Sequence, residues 1–316
     1  MDRALGCMIG VFVGDAAGGT LEFIHDDVTR EIAEEACKMV GGGTHGLARG
    51  QVTDDGELTI CLAMGLLSHL TPAVWYNKWI KTKPFDIGKT CATAFFEEGD
   101  CDNYAIVEEN MIARAAERNA ESKANGALMR VTPMAIKFRN DREELIAYAR
   151  KDAMLSHPNV VCVDANVAYC LAIAHLIKNP GDDAGAFKVA RNWAISERSE
   201  IAEWFEDAEK DVFDADVRRQ AGYVRWAFTL AFYHLHKKTS FREAIIHTLM
   251  RAGDTDTNAA IVGGLMGAYW GVDAMPVQMV GRVVKSLTGV GHMKRPEWLH
   301  PRNVYAIVKR LYGEAK

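Results

Sequence analysis

Two short acidic clusters, far apart along the chain, hold the side chains that could do chemistry. The first is Thr53–Asp55 (TDD), followed by Gly56 and Glu57, and the second is Gly253–Asn258 (GDTDTN). Each cluster comes directly before an apolar segment with helical spacing, the first from Leu58 and the second from Ala259. Carboxylate and hydroxyl oxygens are hard donors, which suit Mg²⁺ or Mn²⁺. The clusters are therefore candidate ligands for divalent cations.

A purely structural interpretation of these residues is helix capping. Asp54 can cap the first helix while Glu57, three residues later, completes a capping box. In the second cluster Asp256 or Thr257 can cap the helix, and Gly253 is suited to the preceding turn. Capping needs one oxygen, however, and each cluster carries two carboxylates and at least one threonine, so capping leaves part of the pattern unexplained.

If folding brings the clusters together, they supply four carboxylates and two hydroxyls, those of Thr53 and Thr257, to one pocket. Like charges do not stay ionised side by side in such a pocket unless a cation lies between them. Four acids can hold a pair of metal ions about 3.5–4 Å apart, an arrangement that serves hydrolysis. Zinc is disfavoured, because the sequence has neither HExxH nor CxxC.

The elements that must position these clusters are helices. Apolar residues recur at helical spacing in five segments, namely 60–70, 104–115, 160–177, 223–234 and 244–250, and no long alternating run predicts a strand. The segment Ala259–Trp270 predicts a buried helix whose small residues allow close backbone approach, and 41–50 and 179–184 are predicted connections. We expect an all-α compact helical bundle with one core and a single domain over residues 1–316.

Composition narrows the class of protein. The chain has 37 basic and 42 acidic residues, a formal net charge of −5, and 49% hydrophobic residues, which disfavours extensive disorder and a strongly basic nucleic-acid surface. The seven cysteines are odd in number and show no CxxC spacing, so reduced thiols in a cytoplasmic protein are expected. Apolar runs near the N-terminus and in 259–270 are too short for a membrane span, and no export signal is expected.

Five segments carry a resemblance to a known family. They are GCMIGVFVGDAAGGTLE (6–22), GGGTHGLARGQVTDDGELTICLA (41–63), NGALMRVTPMAI (125–136), SHPNVVCVDANVAYCLAI (156–173) and AGDTDTNAAIVGGLMGAYWG (252–271). With these five segments in this order, the sequence resembles the ADP-ribosylglycohydrolase family. The resemblance implies an all-α orthogonal bundle that holds two Mg²⁺ or Mn²⁺ ions and removes ADP-ribose from modified proteins or related acceptors.

The resemblance also implies roles for individual residues. The positions that match metal ligands are Thr53, Asp54, Asp55, Asp254, Asp256 and Thr257. Glu22 matches an acid near the metal centre and the reactive ribose, Asn125 and Gly126 match a loop along the ADP-ribose, and Ser156 and His157 match a substrate-contacting pair. Asp15 is expected either to orient ligands or to cap a turn.

The reaction implied is hydrolysis at the anomeric carbon of the distal ribose, with Glu22 or Asp55 handling the proton. The expected substrate is an ADP-ribosylated protein or an ADP-ribose derivative, with an arginine linkage favoured over a serine or small-molecule acceptor. One alternative is a non-catalytic ADP-ribose-binding or structural member of the same fold. Another is a dinuclear phosphohydrolase, since carboxylate-rich Mg²⁺ sites also cleave phosphoesters.

Overall fold

The computed structural model describes residues 1–22, 24, 26–96, 104–210, 217–286 and 293–313. These residues form sixteen α-helices and four short 3₁₀ turns, and they contain no β-strand, so the all-α prediction is confirmed. The helices are α1 (Asp2–Gly18), α2 (Arg30–Ala36), α3 (Asp54–Leu67), α4 (Pro72–Ile80), α5 (Lys89–Phe95), α6 (Tyr104–Arg118), α7 (Thr132–Lys137), α8 (Arg142–Met154), α9 (Val160–Lys178), α10 (Asp183–Ser196), α11 (Ile201–Glu209), α12 (Val224–Lys237), α13 (Phe241–Leu249), α14 (Thr255–Trp270), α15 (Val277–Val284) and α16 (Val304–Gly313).

The predicted helices are present, but the two helices that carry the acidic clusters begin earlier than their apolar spacing indicates. Helix α3 begins at Asp54 and ends at Leu67, and α14 begins at Thr255. The acids therefore occupy the first turns themselves, where the positive end of the helix dipole favours a carboxylate. Likewise α10 begins at Asp183, inside the segment that we predicted as a connection.

The capping interpretation of the clusters is wrong. Thr53 and Asp254 occupy the N-cap positions, and neither makes a side-chain capping bond. Glu57 does not complete a capping box, because its carboxylate accepts hydrogen bonds from Arg295 Nε at 2.8 Å and from Trp79 Nε1 at 2.6 Å. Arg295 lies 238 residues away, and both partners of this ion pair are almost fully buried. A long-range ion pair thus replaces the local contact.

Helices α1 and α14 pack antiparallel at very short distance, through glycines spaced four residues apart. A Cβ added at Gly10 would lie 2.0 Å from the carbonyl oxygen of Gly263, and one at Gly6 would lie 2.3 Å from that of Gly267. At the other end of α1, a Cβ at Gly18 would lie 2.4 Å from the Cα of Asp256. The expected close approach of the small-residue helix is confirmed, and it sets the C-terminal end of α1 against the second acidic cluster.

We expect Gly10→Ala to destabilise the fold, because the added methyl group forces α1 away from α14. Overpacking of this kind lowers the free energy of unfolding by about 1–3 kcal/mol. The matched control is Gly281→Ala in α15, where an added Cβ meets no atom within 4 Å. The control should be stabilised by about 0.5–1 kcal/mol, as glycine is a poor helix former. Urea unfolding of both variants tests this; equal stabilities would contradict the packing account.

Helix α9 is buried in the interior of the bundle. In the described part of the chain, it alone is long and apolar enough to cross a membrane, and 89% of its most apolar window is buried inside the protein. Its neighbours include α7, α8, α10 and α14. This environment is that of a core helix and accounts for its apolar character without a bilayer.

Candidate metal centre and active site

The two acidic clusters meet in the folded protein. Thr53 Oγ1 lies 3.3 Å from Asp256 Oδ2, although the two residues are 203 positions apart. Thr257 Oγ1 lies 3.4 Å from Asp55 Oδ2. These four side chains are buried, with at most 6% of the residue exposed. The first turns of α3 and α14 therefore form one oxygen-rich centre.

Asp15 of α1 holds the start of α3 in place. Its carboxylate accepts hydrogen bonds from the backbone N–H of Thr53 at 2.9 Å, from Thr53 Oγ1 at 2.9 Å and from the backbone N–H of Gly56 at 2.8 Å. A Cβ at Gly56 would lie 2.8 Å from Asp15 Oδ2, so glycine leaves room for this contact. Asp15 thus caps α3 from another helix and orients Thr53 at the same time.

The second cluster follows a left-handed turn and is held by an amide. Ala252 and Gly253 have φ angles of +58° and +75°, which glycine adopts freely and alanine adopts at a cost. Asn125 Nδ2 donates a hydrogen bond to Asp254 Oδ2 at 2.8 Å. The side chain of Asn125, which we expected along the ADP-ribose, therefore also fixes the orientation of Asp254.

Burial has raised the pKa values of the carboxyl groups at this centre. The pKa values of Asp54, Asp55 and Asp256 lie well above their usual range, mainly because burial penalises the charged form and also because of neighbouring carboxylates. Burial also raises the pKa of Asp15 to about 7. A group of carboxylates that repel one another in this way is stabilised by cations.

The polar atoms of the centre fit a hard divalent cation. The Thr53 hydroxyl has one proton but lies within 3.3 Å of carboxylate oxygens of Asp15, Asp55 and Asp256. Among the described residues, Asp55 Oδ1 is buried and has no hydrogen-bond partner. Oxygen atoms in excess of the available protons are the expected surroundings of Mg²⁺ or Mn²⁺. Glu22, Asp254 and Asp256 also have carboxylate oxygens within 4.8 Å of one another.

A cavity of about 580 Å³ lies beside this centre. Most of the residues predicted for the site line it, namely Glu22, Asp54, Asn125, Gly126, His157, Asp254, Asp256 and Thr257. Three others do not: Thr53 and Asp55 lie behind the cavity wall, and Ser156 lies behind His157 with its hydroxyl 2.8 Å from His157 Nδ1. The volume falls within the range of small-molecule sites.

Two further residues close to Glu22 were missed by the sequence analysis: Asp86, which lines the cavity, and His45, which contacts both acids. His45 Nε2 lies 3.1 Å from Glu22 Oε2 and 3.8 Å from Asp86 Oδ2, and the three side chains form a second group that could hold a metal. Burial raises the pKa of Asp86 to about 7 and that of Glu22 to about 9. The available signals were weak: His45 follows the glycine run 41–43, and Asp86 lies just before the start of α5.

Comparison with known proteins agrees with this geometry. Residues 1–315 match the ADP-ribosylglycohydrolase family. The chain is 29% identical over 283 residues to ADP-ribosyl-[dinitrogen reductase] glycohydrolase of Rhodospirillum rubrum, covering 87% of this chain and 88% of that one. It is 29% identical to the ADP-ribosylarginine hydrolase Tri1 of Pseudomonas putida (strain GB-1), covering 90% and 75%.

Two more distant relatives extend the comparison. The human ADP-ribosylhydrolase ARH3 is 24% identical, with 87% of both chains covered. A solved structure titled ADP-ribosylglycohydrolase-related protein complex has the same fold, with a TM-score of 0.74 at 23% identity over 100% of this chain and 98% of that chain. The relatives are named as hydrolases, and the chain is a hydrolase that belongs to the ADP-ribosylglycohydrolase family.

Proposed function

We propose that this protein hydrolyses the glycosidic bond between ADP-ribose and a modified acceptor, with the help of two divalent cations. The observation that carries the proposal is the meeting of the acidic clusters, with Thr53 Oγ1 at 3.3 Å from Asp256 Oδ2, beside a cavity of about 580 Å³. The names of the relatives support an ADP-ribosylated protein as the substrate. An arginine linkage is favoured, and serine or small-molecule acceptors are the alternatives.

The residues that would hold the cations are those that meet at the first turns of α3 and α14. They are Thr53, Asp54, Asp55, Asp254, Asp256 and Thr257. Bound Mg²⁺ or Mn²⁺ would neutralise these carboxylates, bind oxygens of the ribose and lower the pKa of a water molecule. Asp15 keeps Thr53 oriented, and Asn125 does the same for Asp254.

Glu22 is the group that handles the proton in this proposal, whereas Asp55 serves as a ligand. Glu22 lines the cavity, and Asp55 is fully buried behind its wall. Glu22 is not among the six proposed cation ligands, and its carboxyl group lines the cavity, so it can exchange a proton with the departing acceptor.

In this proposal the diphosphate of the substrate binds near Gly126, which also lines the cavity. A Cβ at Gly126 would lie 3.0 Å from Cys91 Sγ and 3.0 Å from His157 Cε1, a tight fit that glycine avoids. Lys89 and Arg218 also line this cavity and supply positive charge.

We expect Glu22→Gln to lower the rate of ADP-ribose release by about 10²–10⁴-fold, the usual contribution of a general acid or base. The protein should still be stabilised by Mg²⁺, because the six proposed ligands are intact. The matched control is Glu31→Gln on the exposed surface of α2, which should leave the rate unchanged. Full activity of Glu22→Gln would show that another group handles the proton.

The experiment that tests the proposal is a panel of defined substrates. Arginine-linked and serine-linked ADP-ribosylated proteins and small ADP-ribose derivatives are each incubated with Mg²⁺, Mn²⁺ or a chelator, and released ADP-ribose is measured. We expect release from the arginine-linked protein with either cation and none with chelator. Cleavage of phosphoesters without release of ADP-ribose would favour the phosphohydrolase alternative, and binding of ADP-ribose without turnover would favour the non-catalytic one.

The proposal places the enzyme in the cytoplasm. The six cysteines in the described part of the chain are free and buried, which fits a reducing compartment; Cys101 lies outside the described residues.

A further inference from the structure

A buried arginine lies directly behind the wall of the cavity. The side chain of Arg130 is fully buried and forms an ion pair with Asp152, with Arg130 Nε at 3.1 Å from Asp152 Oδ2. Arg130 Nη1 donates to the carbonyl oxygen of Gly126 at 2.8 Å, and Nη2 donates to Ser156 Oγ at 2.9 Å. A guanidinium group has donors only and stays charged. Arg130 is therefore the donor in each of its hydrogen bonds, and this fixes the donor and acceptor roles of the groups that come next.

The donor and acceptor roles are fixed in turn from Arg130 to Ser156 and from Ser156 to His157. The Ser156 hydroxyl accepts from Arg130 and lies 2.8 Å from His157 Nδ1. In the described part of the chain, His157 Nδ1 is the acceptor in reach of the Ser156 proton. If Nδ1 carried a proton instead, the Ser156 hydroxyl would be left as a buried donor with no acceptor, which is unfavourable. Nδ1 is therefore unprotonated.

His157 is neutral in this environment. Burial, with a contribution from the positive charge of Arg130, holds the pKa of His157 well below its usual range. A neutral imidazole carries one proton, and since Nδ1 is the acceptor, that proton is on Nε2.

The protonated nitrogen belongs to a residue that lines the ligand cavity, and it has no partner among the described residues. His157 is fully buried in the protein, and its Nε2 makes no hydrogen bond there. His157 lines the cavity next to Gly126, where an added Cβ would lie 3.2 Å from Nε2. A buried N–H without an acceptor is costly, and an oxygen atom of a bound ligand would satisfy it.

We propose that Arg130 and Ser156 are positioning residues that hold His157 as its Nε2–H tautomer, so that His157 donates a hydrogen bond to an acceptor oxygen of the ligand. The proposal deepens the proposed function and rests on it for the identity of the ligand, ADP-ribose, whose phosphate oxygens are acceptors only. The three residues act in series: Arg130 orients Ser156, and Ser156 orients His157. The same arginine also holds the carbonyl group of Gly126.

The test is the tautomer of His157, measured by ¹⁵N NMR of the histidine rings in the full chain at neutral pH. Signals of His157 are identified by their absence in His157→Gln. We expect the wild-type protein to show the Nε2–H pattern. In Ser156→Ala this pattern should give way to a mixture of tautomers, and ADP-ribose should bind about tenfold more weakly, the equivalent of one hydrogen bond.

A matched control is Ser286→Ala, which removes the hydroxyl of another buried serine that does not contact Arg130. It should leave both the His157 pattern and the affinity unchanged. An Nδ1–H pattern in the wild-type protein, or an unchanged pattern in Ser156→Ala, would overturn the proposal; the wild-type spectrum decides even if the variant does not fold. Wild-type protein with the Nε2–H pattern but no affinity for ADP-ribose would support the tautomer and contradict the ligand of the proposed function.

Discussion

Replacing Asp256 by asparagine is expected to abolish turnover and the stabilisation of the protein by divalent cations together. Asp256 Oδ2 lies 3.3 Å from Thr53 Oγ1, at the point where the two acidic clusters meet, and the residue is 2% exposed. The amide removes a negative charge and an acceptor oxygen from the proposed ligand set. Outer-shell changes at metal sites cost about 10–100-fold in affinity or activity, so we expect a loss of at least about 100-fold for a ligand.

The measurements are the rate of ADP-ribose release and the melting temperature with and without Mg²⁺. Asp54→Asn should behave in the same way, because Asp54 lies in the same centre and on the cavity wall. Asp273→Asn, an exposed acid in a 3₁₀ turn, is the matched control and should retain both properties. If Asp256→Asn kept either its turnover or its response to Mg²⁺, the proposed metal centre would be wrong.

Removal of divalent cations is expected to make the stability of the protein fall as the pH rises. In the cation-free protein, burial raises the pKa of Glu22 to about 9 and those of Asp15 and Asp86 to about 7, from the usual values of about 4. Between these limits the folded protein binds more protons than the unfolded chain, so a rise in pH favours unfolding. The free energy of unfolding in chelator should fall from about pH 4 to about pH 9.

With Mg²⁺ present this loss should be largely absent, because the cations neutralise the carboxylates. At a concentration about 100 times the Kd, binding adds about 2.7 kcal/mol to the free energy of unfolding, or about 5 °C in melting temperature. The quantity to compare is the difference between the two conditions at each pH. The buried His234 and His247, whose pKa values burial lowers, affect both conditions equally and cancel in the difference. Parallel curves would contradict the prediction.

Much of the fold and the identity of the acids could be predicted, since both depend on local sequence. Apolar spacing places the helices because side chains three and four residues apart share a helix face. The composition of Thr53–Glu57 and Gly253–Asn258 indicates oxygen ligands wherever those segments lie. Close approach of the small-residue helix could also be predicted, because glycine removes the Cβ that would keep two backbones apart.

The hydrogen-bond and ion-pair partners of these residues could not be predicted, because they depend on the packing of segments that are distant in sequence. Glu57 has the spacing of a capping residue, yet it pairs with Arg295, which no local pattern connects to it. Asp15 orients Thr53 because α1 packs against α14 through Gly10 and Gly18, which brings its C-terminal end to the acidic centre.

The same holds for the residues around the cavity. His45 and Asp86 lie in separate connections, and their side chains come within 3.8 Å of each other only in the folded chain. The donor and acceptor roles in the hydrogen bonds from Arg130 to His157 depend on a guanidinium group buried behind the cavity wall. Spacing along a chain constrains neighbours within one or two helical turns, whereas hydrogen bonds and ion pairs between helices depend on how close their backbones can pack.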